Sequence, residues 1–121
     1  MTRDFDLIRK LLVFFDEKPG PGYVELPVVA GSYTEAQVRY HLVLLHDAGL
    51  LQCEPKSEGG RIISVIPFDL TWEGHEFLSK IRSETNWGKI KCLVSSKSVP
   101  MAFGVINQLA TKLALQSLDL G

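Results

Sequence analysis

A chain of 121 residues, 45% hydrophobic and 22% charged, can bury one real core, removing roughly two-thirds of its unfolded surface from water, and lacks the apolar-poor, highly charged composition of disorder. Thirteen Lys and Arg against fourteen Asp and Glu give a net charge of −1, which excludes a molecule drawn as a whole to nucleic acid or acidic membrane. The acidic start and the short apolar run Leu11–Phe15 argue against a secretory signal or a membrane span, so a cytoplasmic protein with two free thiols, Cys53 and Cys92, both buried as small hydrophobes, is expected.

In chain order, Asp4 is placed to cap a first helix whose Leu7, Ile8, Leu11, Leu12 and Phe15 share one face. Pro19-Gly20-Pro21-Gly22 breaks the chain. Tyr23–Val29 alternates weakly around Pro27 and is expected as a short edge strand. A second helix has two capping signals, Ser32 with Glu35 and Thr34 with Gln37, of which Thr34 is the better start. Val38, Leu42, Leu45 and Ala48 form its apolar stripe, and Gly49-Leu50 suits a left-handed cap. Leu50–Glu54 and Arg61–Phe68 read as two strands of a hairpin joined by the polar stretch Pro55–Gly60. Thr71 caps a third helix, with Phe77 and Leu78 inward, expected to fade near Asn86–Gly88. After a connector rich in Lys and Ser, Ser98 and Pro100 are expected to open a last helix, where Phe103, Ile106, Leu109, Ala110, Leu113, Leu115 and Leu118 exceed one narrow stripe. Such a helix either lies deep in the core or offers a second apolar face to another chain.

The order helix, short strand, capped helix, hairpin, helix is that of a winged-helix domain. Thr34–Leu51, ending Asp47-Ala48-Gly49-Leu50-Leu51, resembles the recognition helix of bacterial winged-helix regulators, and Leu70-Thr71-Trp72-Glu73-Gly74 resembles the Leu-Thr-x-x-Gly that follows their wing. Arg3–Arg9 and Leu70–Leu78, with the Trp87 region and Gln108-Leu109-Ala110, are similar to a phage and prophage family, domain of unknown function 2513. That resemblance covers the chain almost end to end and implies mobile-element origin and a winged-helix fold, without an activity. The expected fold is therefore α+β: one winged-helix-like domain over 1–121, with a core over 1–84, a two-stranded wing, and an additional C-terminal helix over 98–118 as a candidate dimerisation element. One departure stands out. The stretch between Phe15 and Thr34 has no room for a full positioning helix, the element that in DNA readers rests on the phosphate backbone.

Two binding roles follow. The leading one is a DNA-binding regulator in which Gln37 and Arg39 on the second helix reach base edges and Lys56 and Arg61 on the wing reach phosphates. It would act as a homodimer through Phe103, Ile106, Leu109 and Leu113. A monomer neutralising about three phosphates would lose only about fortyfold in affinity between 50 and 200 mM salt. The alternative is a protein-interaction module, a phage factor docking on a host replication, transcription or defence protein. Lys89, Lys91, Lys97 and Lys112 fall in an acid-free stretch, Thr85–Leu118, that either aids solubility or draws an acidic partner. Trp72, Phe77 and Trp87 are expected in the core before a stacking surface.

No cofactor, metal site, small-molecule substrate or catalytic role is expected. His41, His46, Cys53, His75 and Cys92 lack metal-ligand spacing, and His75, with Glu73 and Glu76 near it, has no nucleophile paired to it. Its ring is expected to pack at the end of the third helix.

Overall fold

Asp4 opens the first helix. In the computed structural model, which describes residues 2–24 and 26–118 without the side chains of residues 62, 117 and 118, the Asp4 carboxylate accepts the backbone N–H of Asp6 at 2.9 Å and of Leu7 at 3.2 Å. Helix α1 then runs over Phe5–Glu17 and buries Leu7, Ile8, Leu11, Leu12 and Phe15 as one face. Five helices and one two-stranded antiparallel sheet make up the described residues, a mixed α+β chain that divides into two compact units, 1–76 and 77–121.

In the first unit, α2 spans Glu35–Asp47 behind a complete capping box, with Thr34 Oγ1 accepting from Gln37 N–H at 3.1 Å and Gln37 Oε1 accepting from Thr34 N–H at 2.8 Å. Its end is equally determined. Gly49 takes a φ of +75°, its N–H donates to His46 O, and Leu50 N–H reaches back to Leu45 O, the paired bonds of a Schellman motif. Val38, Leu42 and Leu45 are buried as expected, whereas Ala48 is exposed, and the stripe is joined by His41 in the middle of the helix, 1% exposed. The His41 Nδ1–H donates to Gln37 O at 2.7 Å while Nε2 accepts the Asp4 N–H at 2.8 Å, so one neutral ring joins α2 to the N-terminus of α1.

The hairpin is longer than its turn residues suggest. Strand β1 covers Leu51–Glu58 and continues through Pro55, β2 covers Arg61–Leu70, and only Gly59-Gly60 forms the turn. Both glycines have positive φ, +59° and +78°, as a two-residue type I′ turn demands. Pro55 fits because β1 pairs on one side only. Two register shifts, at Gln52/Cys53 and Lys56/Ser57, bend the ribbon.

The expected edge strand at 23–29 does not form among the described residues, Glu25 lying outside them; a single backbone bond from Val24 N–H to Pro67 O at 3.0 Å links the segment to β2. Pro27 has no N–H to offer a ladder, and two lysines tie down the chain on either side of the stretch. Lys18, its side chain 7% exposed, reaches Asp69 Oδ1 at 2.8 Å and donates to Gly20 O. Lys10 donates to Ala30 O at 2.8 Å and lies over the Tyr33 ring.

Helix α3, Trp72–Ile81, begins against the end of α2. Thr71 Oγ1 donates to Gly49 O at 2.6 Å and accepts from Gly74 N–H at 3.0 Å, while Thr71 N–H donates to Leu50 O at 3.1 Å. A Cβ at Gly74 would stand 2.1 Å from Leu50 O, which explains the glycine of the Leu-Thr-x-x-Gly string by close approach of backbone to backbone.

The second unit contains the end of α3, then α4 over Glu84–Ser96 and α5 over Phe103–Leu118. Here the chain departs from expectation. The third helix stops at Ile81, and the supposed connector is a helix of its own, capped by Ser83 Oγ, which accepts from Asn86 N–H at 3.2 Å. Gly88 and the serines make weak helix formers, and burial of Trp87, Ile90 and Val94 outweighs their cost. Ser98 does not cap α5. It takes φ +54° and closes α4, with Ser98 N–H on Ser95 O and Val99 N–H on Val94 O, and α5 starts three residues beyond Pro100. Within this unit the Phe77 and Phe103 rings meet at 4.7 Å, Ile106 and Ala110 are fully buried, and Lys80 Nζ bonds Asn107 Oδ1 at 2.6 Å and Thr111 Oγ1 at 3.1 Å.

Two substitutions test this framework. Gly74→Ala forces Leu50 O aside and is expected to cost about 1–3 kcal/mol of unfolding free energy in urea titration; a change under about 0.5 kcal/mol would show that the two backbones do not meet. His41→Leu keeps the volume but strands the Asp4 N–H, for an expected loss of about 1–3 kcal/mol, and a neutral or stabilised variant would deny the ring its bridging role.

Candidate nucleic-acid interface

The outward side of α2 and the hairpin carries the residues of interest in the first unit. Arg39 extends from the middle of α2, its Nε donating to Glu35 Oε1 at 2.9 Å, one helical turn earlier. Lys56 stands on β1 opposite Ser64 of β2. Arg39, Lys56 and Ser64, with Tyr23, Val65 and Ile66, line one pocket of about 190 Å³. Two positive charges from different elements therefore converge beside residues that bring a serine and a tyrosine hydroxyl.

Of the four residues singled out for nucleic acid, the structure brings Arg39 and Lys56 together. Gln37 is half-buried and spends its amide oxygen on the capping box. Arg61 is exposed at the hairpin tip, opposite Glu58, and does not line the pocket. Tyr23 and Ser64 were not legible as part of this site. Tyr23 is 66% exposed, packs edge-on against Phe68 at 6.4 Å, and reaches the pocket only because its segment crosses β2.

The charge around the pocket is unfavourable to an anion overall. Residues 1–76 hold seven Lys and Arg against twelve Asp and Glu, net −5, whereas residues 77–121 hold six against two, net +4. The near-neutral chain is thus two oppositely charged halves. A second pocket of about 180 Å³ is lined by Leu26, Pro27, Val28, Val29, Tyr33, Glu35 and Val38, with polar and apolar surface in about equal measure.

On α5, Ile106 is wholly enclosed, while Phe103, against Phe77, and Leu109 and Leu113 are each half-buried; Leu115, 60% exposed, lies on the opposite side of the helix, and the side chain of Leu118 lies outside the described residues. Phe77 and Trp87 are core residues, and Trp72, 75% exposed, is not. The His75 ring does not pack into the fold but lies open to solvent, its Nδ1 3.6 Å from Asp16 Oδ1. Among the described residues no three His, Cys, Asp or Glu side chains are grouped to hold a metal ion, and no helix is long and apolar enough to cross a membrane.

A family model described as a hypothetical protein, DUF2513, matches residues 2–100. An uncharacterized protein of Haemophilus influenzae is 35% identical over 118 residues, covering 98% of this chain and 99% of its own length. No solved structure matches.

The two cysteines are free, but their surroundings differ: Cys92 is exposed, contrary to the buried setting expected of it, while Cys53 is partly enclosed in the hairpin and burial pushes its thiol up from 9.0 to about 12. Thiolate is the reactive form, so at neutral pH a disulfide reagent should titrate Cys92 rapidly and Cys53 only after denaturation. Equal rates in the native protein would contradict this placement. Because the folded state keeps a proton that the unfolded chain releases, the Cys53 contribution to stability is complete below pH 9.0 and lost as pH rises toward about 12.

Proposed function

The chain belongs to the DUF2513 family, and from that premise we propose that it is a winged-helix-like DNA-binding regulator without catalytic chemistry, of phage or prophage origin, with α2 as recognition helix and β1–β2 as wing. The order α1, α2, hairpin, α3 supports the reading, as does the Schellman turn that aims the ribbon away from the end of α2. The observation that carries it is the convergence of Arg39 and Lys56 on one pocket beside Ser64 and Tyr23. A guanidinium, an ammonium and hydroxyls around a space of that size suit a phosphate oxygen of duplex DNA.

The Arg39–Glu35 pair does not forbid this use. Both partners are exposed, 41% and 61%, and such pairs are worth about 0.2–1 kcal/mol, less than a charge-assisted bond to phosphate. Gln37, committed to the cap, contributes to helix position instead of to base reading, leaving Arg39 as the principal contact from α2. In a homodimer, Leu109 and Leu113 would supply the apolar contact, and the phosphate contacts would double.

A second reading, docking on a host protein, is favoured by the −5 charge of the first unit and by its exposed Tyr23, Val28, Ile63 and Trp72. Gel-shift titration against mixed-sequence duplex DNA at low salt separates the two. The DNA reading expects retardation at or below about 10 μM protein, with Arg39→Ala and Lys56→Ala each weakening binding and making the log affinity against log salt plot shallower by about 0.9. Absence of any complex at that concentration would leave protein docking as the better account.

A further inference from the structure

We infer that the lysine-bearing side of helix α4 is itself a phosphate-backbone contact, an electrostatic anchor for duplex DNA; this rests on the DNA-binding reading above. From Thr85 to Leu118 the chain has no acidic residue, and α4 with its cap supplies Lys89, Lys91 and Lys97. At the helical period, the buried Trp87, Ile90 and Val94 occupy one side. Lys89 stands near the middle of the opposite, exposed side, Lys97 at one margin and the half-exposed Lys91 at the other, its ammonium 6.0 Å above the Trp87 ring. The other exposed residues of the helix are Glu84 and Thr85 in its first turn, then Gly88, Cys92, Ser95 and Ser96, so its one acid stands at the opposite end from Lys97. None of the residues from Gly88 to Ser96 that separate the lysines is long enough to keep a duplex from their ammonium groups.

Arg39 and Lys56 alone face the repulsion of a unit with net −5, whereas the second unit carries net +4. Phosphate contacts carry no base information, so they need no particular register and can lie on a helix outside the winged-helix order. Polyanion recognition at α4 is therefore independent of base sequence.

Cys92 lies within this face and serves as its reporter. Alkylation by a maleimide, followed peptide by peptide, is expected to slow several-fold at Cys92 when a 20-base-pair duplex is added at low salt. The double variant Lys89→Gln/Lys97→Gln, at two exposed positions, is expected to flatten the log affinity against log salt plot by about 1.8, near 0.9 per lysine. An unchanged slope and unchanged Cys92 rate, with Arg39→Ala and Lys56→Ala still weakening binding, overturn the anchor and leave the winged-helix reading intact. The converse, a flattened slope with Arg39→Ala and Lys56→Ala without effect, upholds the anchor and overturns the assignment of the pocket. Cys92 protection that rises with protein concentration in the absence of DNA would assign the face to the acidic unit of a second copy and overturn the proposal.

Discussion

The corner at Gly49-Leu50 is the constraint on which the arrangement of the first unit depends. There the chain leaves α2 through a left-handed residue, enters β1 within two residues, and is met from the other side by Thr71 and Gly74 at the start of α3. The Leu50 carbonyl is the shared acceptor, taking the Thr71 N–H while Gly74 leaves room for it. Three elements are thereby fixed to one peptide group. With the exit angle of the hairpin set in this way, Lys56 is carried back over the outward side of α2 to where Arg39 extends, although the two residues are far apart in sequence. A looser corner would leave two isolated surface cations.

Around that geometry the electrostatics are divided. The first unit, which carries the proposed reading helix and ribbon, is net −5, while the second, which carries neither, is net +4. Exposed cations at the lines of contact are worth little singly in salt, and their number matters more than their quality. This division explains how a chain of net −1 can be proposed for nucleic acid, since the whole-molecule charge averages over two regions of opposite sign.

What the sequence made legible was local. The caps of α1 and α2, the Gly49 stop and the buried faces of both helices depend on residues within one or two turns, and the structure has them where the spacing puts them. The failures come from tertiary decisions. Helix α4 is made of residues that do not favour a helix and exists because Trp87, Ile90 and Val94 are buried; Ser98 takes a conformation more usual for glycine because it ends that helix. The segment around Pro27 alternates like a strand, but Pro27 interrupts its row of donors and only Val24 N–H bonds to β2 among the described residues. At the candidate site, Arg39 and Lys56 followed from the element order, whereas Gln37 serves both the cap and the expected base reading, and the cap fixes its Oε1 and with it the direction of the amide. Tyr23 and Ser64 join the pocket only through strand pairing and loop path, which leave no periodic signal.

The ring of His41 has a further effect on how the molecule opens. The first turn of a helix near a chain end ordinarily frays at almost no cost, independently of the interior. Here the amide of Asp4 ends on a nitrogen that is 1% exposed, so unwinding that turn leaves an acceptor without a donor inside α2. Opening of that turn therefore carries the added cost of one stranded buried acceptor, about 1–3 kcal/mol, which sets it apart from a helix end capped by solvent.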